Sequence, residues 1–321
     1  LDNYKSKINN VSKFFSSSIL AGACLASSSL CYTNVAQAVI YANYPNNTII
    51  KTSTINNNTQ GVGTSGQEEV ISVNETHGLF VNGPYNNPIE NITFDDSANP
   101  LVITDNDGHG MLFQSSIVTI NANIIATDNN GRGIMAGDFN NGNMSSDVTF
   151  NGTVSSTNNS SWGLYARGGN RGGTMTFNND VITDSALLYY SSTWFFNGNV
   201  TSDGFTMIAS SVTFGDETKD ITIDVPIRHG GASARITFNG RTTIEKSVGS
   251  SGAVTKIQFK SADPANFINL NADMFANDIF IYGSLRPADG VTLTSPNTIH
   301  LKNSIFDLGL GVTNLSGAVV N

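Results

Sequence analysis

The feature that most constrains this chain is a short phrase, an apolar residue followed by Thr-Phe-Asn-Gly, which recurs with variations between residues 78 and 240. The phrase is clearest at Val148-Thr149-Phe150-Asn151-Gly152 and Ile236-Thr237-Phe238-Asn239-Gly240. Its third positions are 94, 120, 150, 177, 196, 214 and 238, which are 24 residues apart on average. A repeat of this length is the size of one coil of a β-solenoid.

Two other phrases accompany each repeat in a fixed order. An apolar segment, often introduced by glycine, comes before it, as in Gly110-Met111-Leu112-Phe113 and Gly163-Leu164-Tyr165-Ala166. A short segment closed by a polar residue comes after it, as in Ile124-Ile125-Ala126-Thr127-Asp128. The alternation of apolar and polar residues predicts three short strands per coil, with Gly, Asn and Asp at the corners because these residues accept positive φ or bond their own backbone.

Strands this short bury too little surface to be stable alone, so the coils must stack on one another at about 4.8 Å. We therefore predict an all-β fold, a right-handed parallel β-helix of about 24 residues per coil, over residues 77–321. The 41 asparagines are explained as corner residues, without a ligand. A β-sandwich or a propeller, the competing folds, needs longer strands or a period near forty. Residues 39–76 are predicted to be an irregular N-terminal cap.

Residues 1–38 have the pattern of a signal peptide: Lys5, Lys7 and Lys13 precede an uncharged stretch, and Ala36-Gln37-Ala38 is a small-x-small cleavage site. A membrane anchor is the competing interpretation, and a lipoprotein site at Cys24 is a weaker one. Both cysteines lie in this segment, so the remaining chain has no disulfide or thiol. Removal of three Lys and one Asp would change the formal net charge from −9 to −11, which disfavours nucleic acid as a partner.

The signal peptide, the cysteine-free body and the T-F-N-G-x-V coils together resemble the passenger domains of autotransporters (type V secretion). The chain looks most similar to the surface cell antigen group of Rickettsiales, which includes outer membrane protein B. The resemblance implies display on the cell surface or secretion, adhesion to a host-cell surface protein or matrix component, and a role in virulence. It also implies an outer-membrane translocator barrel, which we do not find before Asn321, so we expect a truncated or split product or a barrel encoded elsewhere.

Parallel β-helices also include polysaccharide-cleaving enzymes, so catalytic residues were sought. Gly108-His109-Gly110 matches a short motif of polygalacturonases, with Asp95, Asp96 and Asp105 nearby, but the Asn-Thr-Asp and Arg-Ile-Lys elements of that family are missing. Moreover, the segment around His109 occupies the same place in its coil as the segment around Arg132. We therefore predict that the chain is not an enzyme.

The sequence contains one candidate metal site and one candidate ligand-binding surface. Asp105-Asn106-Asp107-Gly108 could supply calcium ligands, but no glutamate follows at the required distance, and an ordinary polar corner is the simpler interpretation. The four histidines are not spaced as metal ligands, and no cofactor is expected.

Aromatic residues are grouped in consecutive coils and form either an exposed strip for carbohydrate or protein, or part of the core: Trp162, Tyr165, Tyr189, Tyr190 and Trp194. The predicted function is an adhesin or structural surface antigen, and the alternative is a secreted protein that binds or cleaves polysaccharide.

Overall fold

The computed structural model describes residues 100–104, 106–137, 146–167, 172–231 and 233–307, together with the strand segments 49–50, 54–56, 62–63, 78–82, 89–94 and 314–320. The predicted signal peptide, residues 1–38, lies outside the described residues. All regular structure in the described part is β-strand. Accordingly, this part contains no helix that is long and apolar enough to cross a membrane.

The strands form three parallel sheets, which the chain visits in the order sheet 1, sheet 2, sheet 3 in each coil. Sheet 1 contains the strands that glycine often introduces, β3 Val62–Gly63, β4 Leu79–Asn82, β7 Met111–Gln114, β10 Ile134–Ala136, β13 Leu164–Arg167, β16 Ala186–Tyr189, β19 Phe205–Ile208 and β22 Ile227–His229.

Sheet 2 contains the Thr-Phe-Asn-Gly strands and their successors, β1 Ile49–Ile50, β5 Ile89–Phe94, β8 Ser116–Ile120, β11 Asp147–Phe150, β14 Gly173–Phe177, β17 Ser192–Phe196, β20 Ser211–Phe214, β23 Arg235–Asn239, β25 Val254–Lys260, β27 Met274–Ile281, β29 Thr292–Leu301 and β31 Asn314–Val320. Sheet 3 contains β2 Thr54–Asn56, β6 Leu101–Thr104, β9 Ile124–Thr127, β12 Val154–Thr157, β15 Val181–Thr183, β18 Val200–Ser202, β21 Ile221–Asp224, β24 Thr242–Ile244, β26 Phe267–Leu270, β28 Ser284–Pro287 and β30 Ile305–Phe306.

This arrangement is a parallel β-helix of about nine turns and confirms the predicted fold class. The coils follow one another by about 22 residues, slightly fewer than the predicted 24. The difference comes from the later coils, because Phe238, Phe259, Ile281 and Leu301 occupy one row and are separated by only 21, 22 and 20 residues. The short strands β1, β2 and β3 pair with β5, β6 and β4, so these parts of the predicted cap already belong to the sheets.

The core is one continuous cluster of inward-facing side chains that runs from Leu79 to Ile299. Its most regular part is a column of phenylalanines in sheet 2, which we call the phenylalanine ladder. Successive ring centroids are 4.9, 4.9, 5.3, 5.3 and 5.7 Å apart along Phe150, Phe177, Phe196, Phe214, Phe238 and Phe259. The Phe of each Thr-Phe-Asn-Gly phrase thus packs on its equivalent in the next coil, as stacking of the repeat requires.

The asparagines of the corners also pair with their equivalents. Between sheets 2 and 3, the side-chain amide of Asn151 donates to Asn121 (2.8 Å) and that of Asn178 donates to Asn151 (2.7 Å). Between sheets 3 and 1, Asn106 donates to Asn129 (2.6 Å) and Asn129 donates to Asn159 (2.8 Å). Because an amide is both donor and acceptor, it can bond the rungs above and below, which explains the abundance of Asn without a ligand.

The last coils differ from the others because sheet 1 ends as separate strands at β22. Val248 continues it only as a single bridge between Ile227 and Met274. From β27 onwards, one long strand in each coil takes part in both sheets. Its first residues continue sheet 1 and its last residues lie in sheet 2. In β27, the register shifts between Phe275 and Asp278, where one part passes into the other. We predicted that strands continue after residue 240, and they do. Among them, β29 runs without interruption from Thr292 to Leu301 and includes residues of both sheet 1 and sheet 2.

Candidate functional site

Four of the five aromatic residues proposed as a binding strip lie on or beside the outer face of sheet 1. Tyr165 and Tyr189 are outward-facing residues of β13 and β16, because they alternate with the buried Leu164, Ala166 and Leu188. Trp162 precedes β13 at the corner from sheet 3, and Tyr190 follows β16 at the corner to sheet 2.

Tyr165 is the centre of this outer cluster, although it is only 2% exposed. It packs with Leu112 and Met135, its neighbours in the same row, and Trp162, Leu187 and Tyr189 lie against them. The guanidinium carbon of Arg132 lies 4.1 Å from the centroid of the Tyr165 ring, a cation–π contact. Burial raises the pKa of Tyr165 and lowers the pKa of Arg132, since it disfavours the charged form of each group.

Tyr189 and Tyr190 form the accessible end of the cluster. Their rings meet edge to face with centroids 4.2 Å apart, and Arg167 lies 5.6 Å above the ring of Tyr189. Tyr190 is 45% exposed, the most accessible of the aromatic residues proposed for the strip. Aromatic rings and cations are therefore present on this face, but much of the ring surface is already used for packing within the protein.

Trp194 does not belong to this face, so its assignment to an exposed strip is wrong. It is an inward-facing residue of β17 and is fully buried, with its ring centroid 6.0 Å from that of Phe177 and 5.9 Å from that of Phe196. Its indole N–H donates to the hydroxyl of Ser192 (3.1 Å), which satisfies the polar atom inside the core. The period-two pattern of Ser192–Phe196 places Trp194 on the same face as the ladder residue Phe196.

The corner that contains His109 has no special geometry. The backbone N–H of Gly131 donates to Gly108 O, and Met111 pairs with Ile134, so His109 and Arg132 occupy equivalent positions in successive coils, as the repeat predicts. Nδ1 of His109 accepts a hydrogen bond from the backbone N–H of Arg132 (3.0 Å). Asp95, Asp96 and Asp105, the acids considered with it, lie outside the described residues.

The structure shows the role of Asn106, one of the residues considered as a calcium ligand. This residue is 2% exposed and bonds Asn129 across the coils, so its side chain belongs to the asparagine ladder. Asp105 lies outside the described residues. Within the described ranges, no group of three or more His, Cys, Asp and Glu side chains could hold a metal ion.

A second outward-facing cluster, which the sequence analysis missed, lies on sheet 2 near its C-terminal end. Nζ of Lys256 lies 4.1 Å from the centroid of the Phe280 ring, and His300 stacks on Phe280 at 4.3 Å with an angle of 6° between the planes. The signal was available in Lys256-Ile257-Gln258-Phe259-Lys260, where polar and cationic residues alternate with buried apolar ones. Only the register, however, brings residues from three separate strands together.

Comparisons with known proteins give no relative for this chain. No protein-family model, no curated protein and no solved structure matches it. The function of the chain is therefore inferred from its own residues and fold.

Proposed function

We propose that the chain is an exported bacterial surface protein, an autotransporter-like passenger whose β-helix acts as an adhesin or structural surface antigen. The observation that carries the proposal is the parallel stacking of about nine coils on a single core. Such a fold needs no disulfide, and it holds its outward side chains in straight rows at a fixed spacing of about 4.8 Å. A surface of this kind suits binding through many weak contacts.

Export is supported by residues 1–38, whose three lysines, uncharged stretch and Ala-Gln-Ala site match a secretory leader. The absence of cysteine after Cys31 suits a chain that must cross a membrane without forming disulfides. The stability of the chain outside the cell would then come from the phenylalanine and asparagine ladders.

The first experiment tests export. The full chain with an epitope tag after Asn321 is expressed in a Gram-negative host, and the mass of the product in the periplasmic and surface fractions is measured. We expect a product shortened by about the length of the leader. Ala38→Arg, which removes the small residue from the cleavage site, is the control and should accumulate as the longer form. A full-length product that stays in the cytoplasm would contradict export.

The second experiment tests adhesion. Binding of the purified, processed product to cultured host cells and to immobilised matrix proteins is measured over a range of concentrations. We expect binding that saturates and is competed by untagged protein. Binding that rises linearly without saturation, or no binding, would contradict the adhesin proposal.

A further inference from the structure

The outer face of sheet 2 from β23 to β29 concentrates positive charge on a chain whose formal net charge is −9. The register of these four strands defines a grid of twelve outward positions, which we call the sheet 2 platform. Its rungs are Arg235, Thr237 and Asn239; Lys256, Gln258 and Lys260; Asp278, Phe280 and Tyr282; and Thr298, His300 and Lys302. Four of the twelve are Lys or Arg and one is an acid.

The cations of the platform are accessible. Arg235, Lys260 and Lys302 are exposed, and Lys256 is half-buried beside Phe280. The ion pairs recorded within the described residues involve other cations, Arg241, Lys246 and Arg286. Carboxylates border the platform at one corner, where Asp263 lies and where Glu217 accepts a hydrogen bond from the backbone N–H of Ala262 (2.9 Å). The platform therefore carries a local excess of positive charge.

The aromatic residues of the platform present their edges to the outside. Because β25 and β29 lie on opposite sides of β27, Lys256 covers one face of the Phe280 ring and His300 covers the other. Tyr282 lies beside them, with its centroid 5.7 Å from that of Phe280. The edge of an aromatic ring carries the positive end of its quadrupole, so these edges add to the attraction for an anion.

We infer that the sheet 2 platform binds an acidic polysaccharide, a chain of sugars that carry carboxylate or sulfate groups. Arg235 and Lys256 lie on adjacent rungs about 4.8 Å apart, and Lys260 and Lys302 lie on either side of the Tyr282 rung, so several cations follow one another in the direction that a linear polyanion would take. The amides and hydroxyls between them, Gln258, Asn239 and Thr237, can bond sugar hydroxyls. This inference rests on the proposed function, since it names the class of partner that an exported adhesin would meet.

A single-stranded nucleic acid is the competing polyanion, and the geometry disfavours it. Such ligands bind by stacking bases on open aromatic faces, and both faces of Phe280 are already covered. A membrane surface is also disfavoured, because interfacial binding needs apolar side chains that can be inserted between lipids. The outward positions here are mostly cationic, amide or hydroxyl.

The test uses the full chain as exported, applied to immobilised heparin over a series of salt concentrations. We expect binding at low salt that weakens steeply as salt rises, because screening reduces charge attraction. The variant Lys260→Gln with Lys302→Gln removes two exposed cations. It should elute at lower salt, and its plot of log affinity against log salt should be shallower by about one for each lysine removed.

The matched control is Arg228→Gln with Lys246→Gln, which removes the same charge from exposed positions on sheet 1 and after β24. It should elute with the unmodified chain, and the circular dichroism of both variants should be unchanged. Equal elution of the two variants, or no binding of the unmodified chain to heparin, would overturn the inference. Competition by hyaluronate, which has carboxylates but no sulfates, would identify carboxylate as the recognised group, and failure to compete would identify sulfate.

Two further outcomes separate this inference from its alternatives and from the proposed function. If oligothymidylate binds as tightly as heparin and depends on the same two lysines, the polysaccharide assignment is wrong. If host cells bind the unmodified chain and the Lys260, Lys302 variant equally, the platform is not their binding site although adhesion stands. If heparin binds through the platform but cells do not bind saturably, the platform stands and the adhesin proposal fails.

Discussion

The coils from β7 to β24 and the coils from β25 to β31 share one core, but the chain passes from sheet 1 to sheet 2 differently in the two regions. In the first region, several corners between sheets 1 and 2 are sharp turns at residues with positive φ, such as Ser115, Ser191 and Ala209. In the second region, β27 and β29 each run through this corner as one continuous strand, of eight and ten residues. A parallel core thus requires matching rows of inward side chains, but it does not require the same number of strands per coil.

The two regions also stabilise their rungs differently. The first contains most of the phenylalanine ladder and the asparagine ladders, whereas Ile281 and Leu301 continue the phenylalanine row in the second. Asparagine itself is almost as frequent in the second region as in the first, with seven in residues 254–320 and 16 in residues 111–244. Four sets of substitutions test what the packing of the coils contributes to stability.

The largest effect is expected for Phe196→Ala in the centre of the ladder. This change removes a ring that stacks on Phe177 and Phe214, and it should lower the free energy of unfolding by about 3–5 kcal/mol. Ile281→Ala in the second region removes a smaller side chain and should cost less. Urea unfolding followed by circular dichroism measures both. The outward-facing neighbour Phe195→Ala is the control, and a loss as large as that of Phe196→Ala would show that ladder stacking is not what stabilises this region.

A smaller effect is expected for Asn129→Ala in the buried asparagine ladder. The change leaves the buried side-chain amide of Asn106 without its acceptor and removes the side-chain donor to Asn159, whose oxygen keeps the backbone N–H of residue 129, and it should cost about 1–3 kcal/mol. Asn130→Ala, at the exposed neighbouring position, should change the free energy of unfolding by less than about 0.5 kcal/mol. The same urea titration measures both. Similar costs for the two variants would mean that the ladder contributes no more than a solvated corner.

The corner itself can be tested by one substitution made in both regions. Ala209 has a φ of 49°, which is costly for a residue with a side chain, so Ala209→Gly should stabilise the chain by about 0.5 kcal/mol. Ala276 lies in the strand Met274–Ile281 and is fully buried, so Ala276→Gly should destabilise it by about 1 kcal/mol. Thermal unfolding midpoints should therefore move in opposite directions. Shifts of the same sign would contradict the difference between a sharp corner and a continuous strand.

The smallest effect concerns pH and the outer cluster of sheet 1. Burial raises the pKa of Tyr165, so its neutral form is favoured in the folded state. Its contribution to stability is complete below the ordinary tyrosine pKa of about 10 and decreases as the pH rises towards the folded value. Tyr165→Phe should remove part of the loss of stability that begins as the pH rises above about 10. The free energy of unfolding of both proteins is measured against pH. The same dependence above about pH 10 in both would show that burial does not affect the ionisation of Tyr165.

Several of these features could be read from the sequence because they depend on local periodicity. The repeated Phe positions from Phe150 to Phe238 predicted which residues stack, and Asn129 and Asn159 lie at the corners where the phrase boundaries placed them. The equivalence of His109 and Arg132 was likewise predicted by alignment of the repeats. For Trp194 the sequence left an exposed strip and the core as alternatives, and its place in the alternation of β17 decides for the core.

What the sequence determined by itself was the class of fold, because a repeated pattern of short strands can bury its apolar face only by stacking equivalent residues. What only the tertiary structure decided was which outward side chains become neighbours and where the coil changes from three strands to two. Lys256 and Phe280 are 24 residues apart, and Phe280 and His300 are 20 residues apart. No local feature of any of the three residues indicates the other two. They meet because the register of β25, β27 and β29 places them on adjacent rungs, and register is a property of the packed core rather than of any one segment.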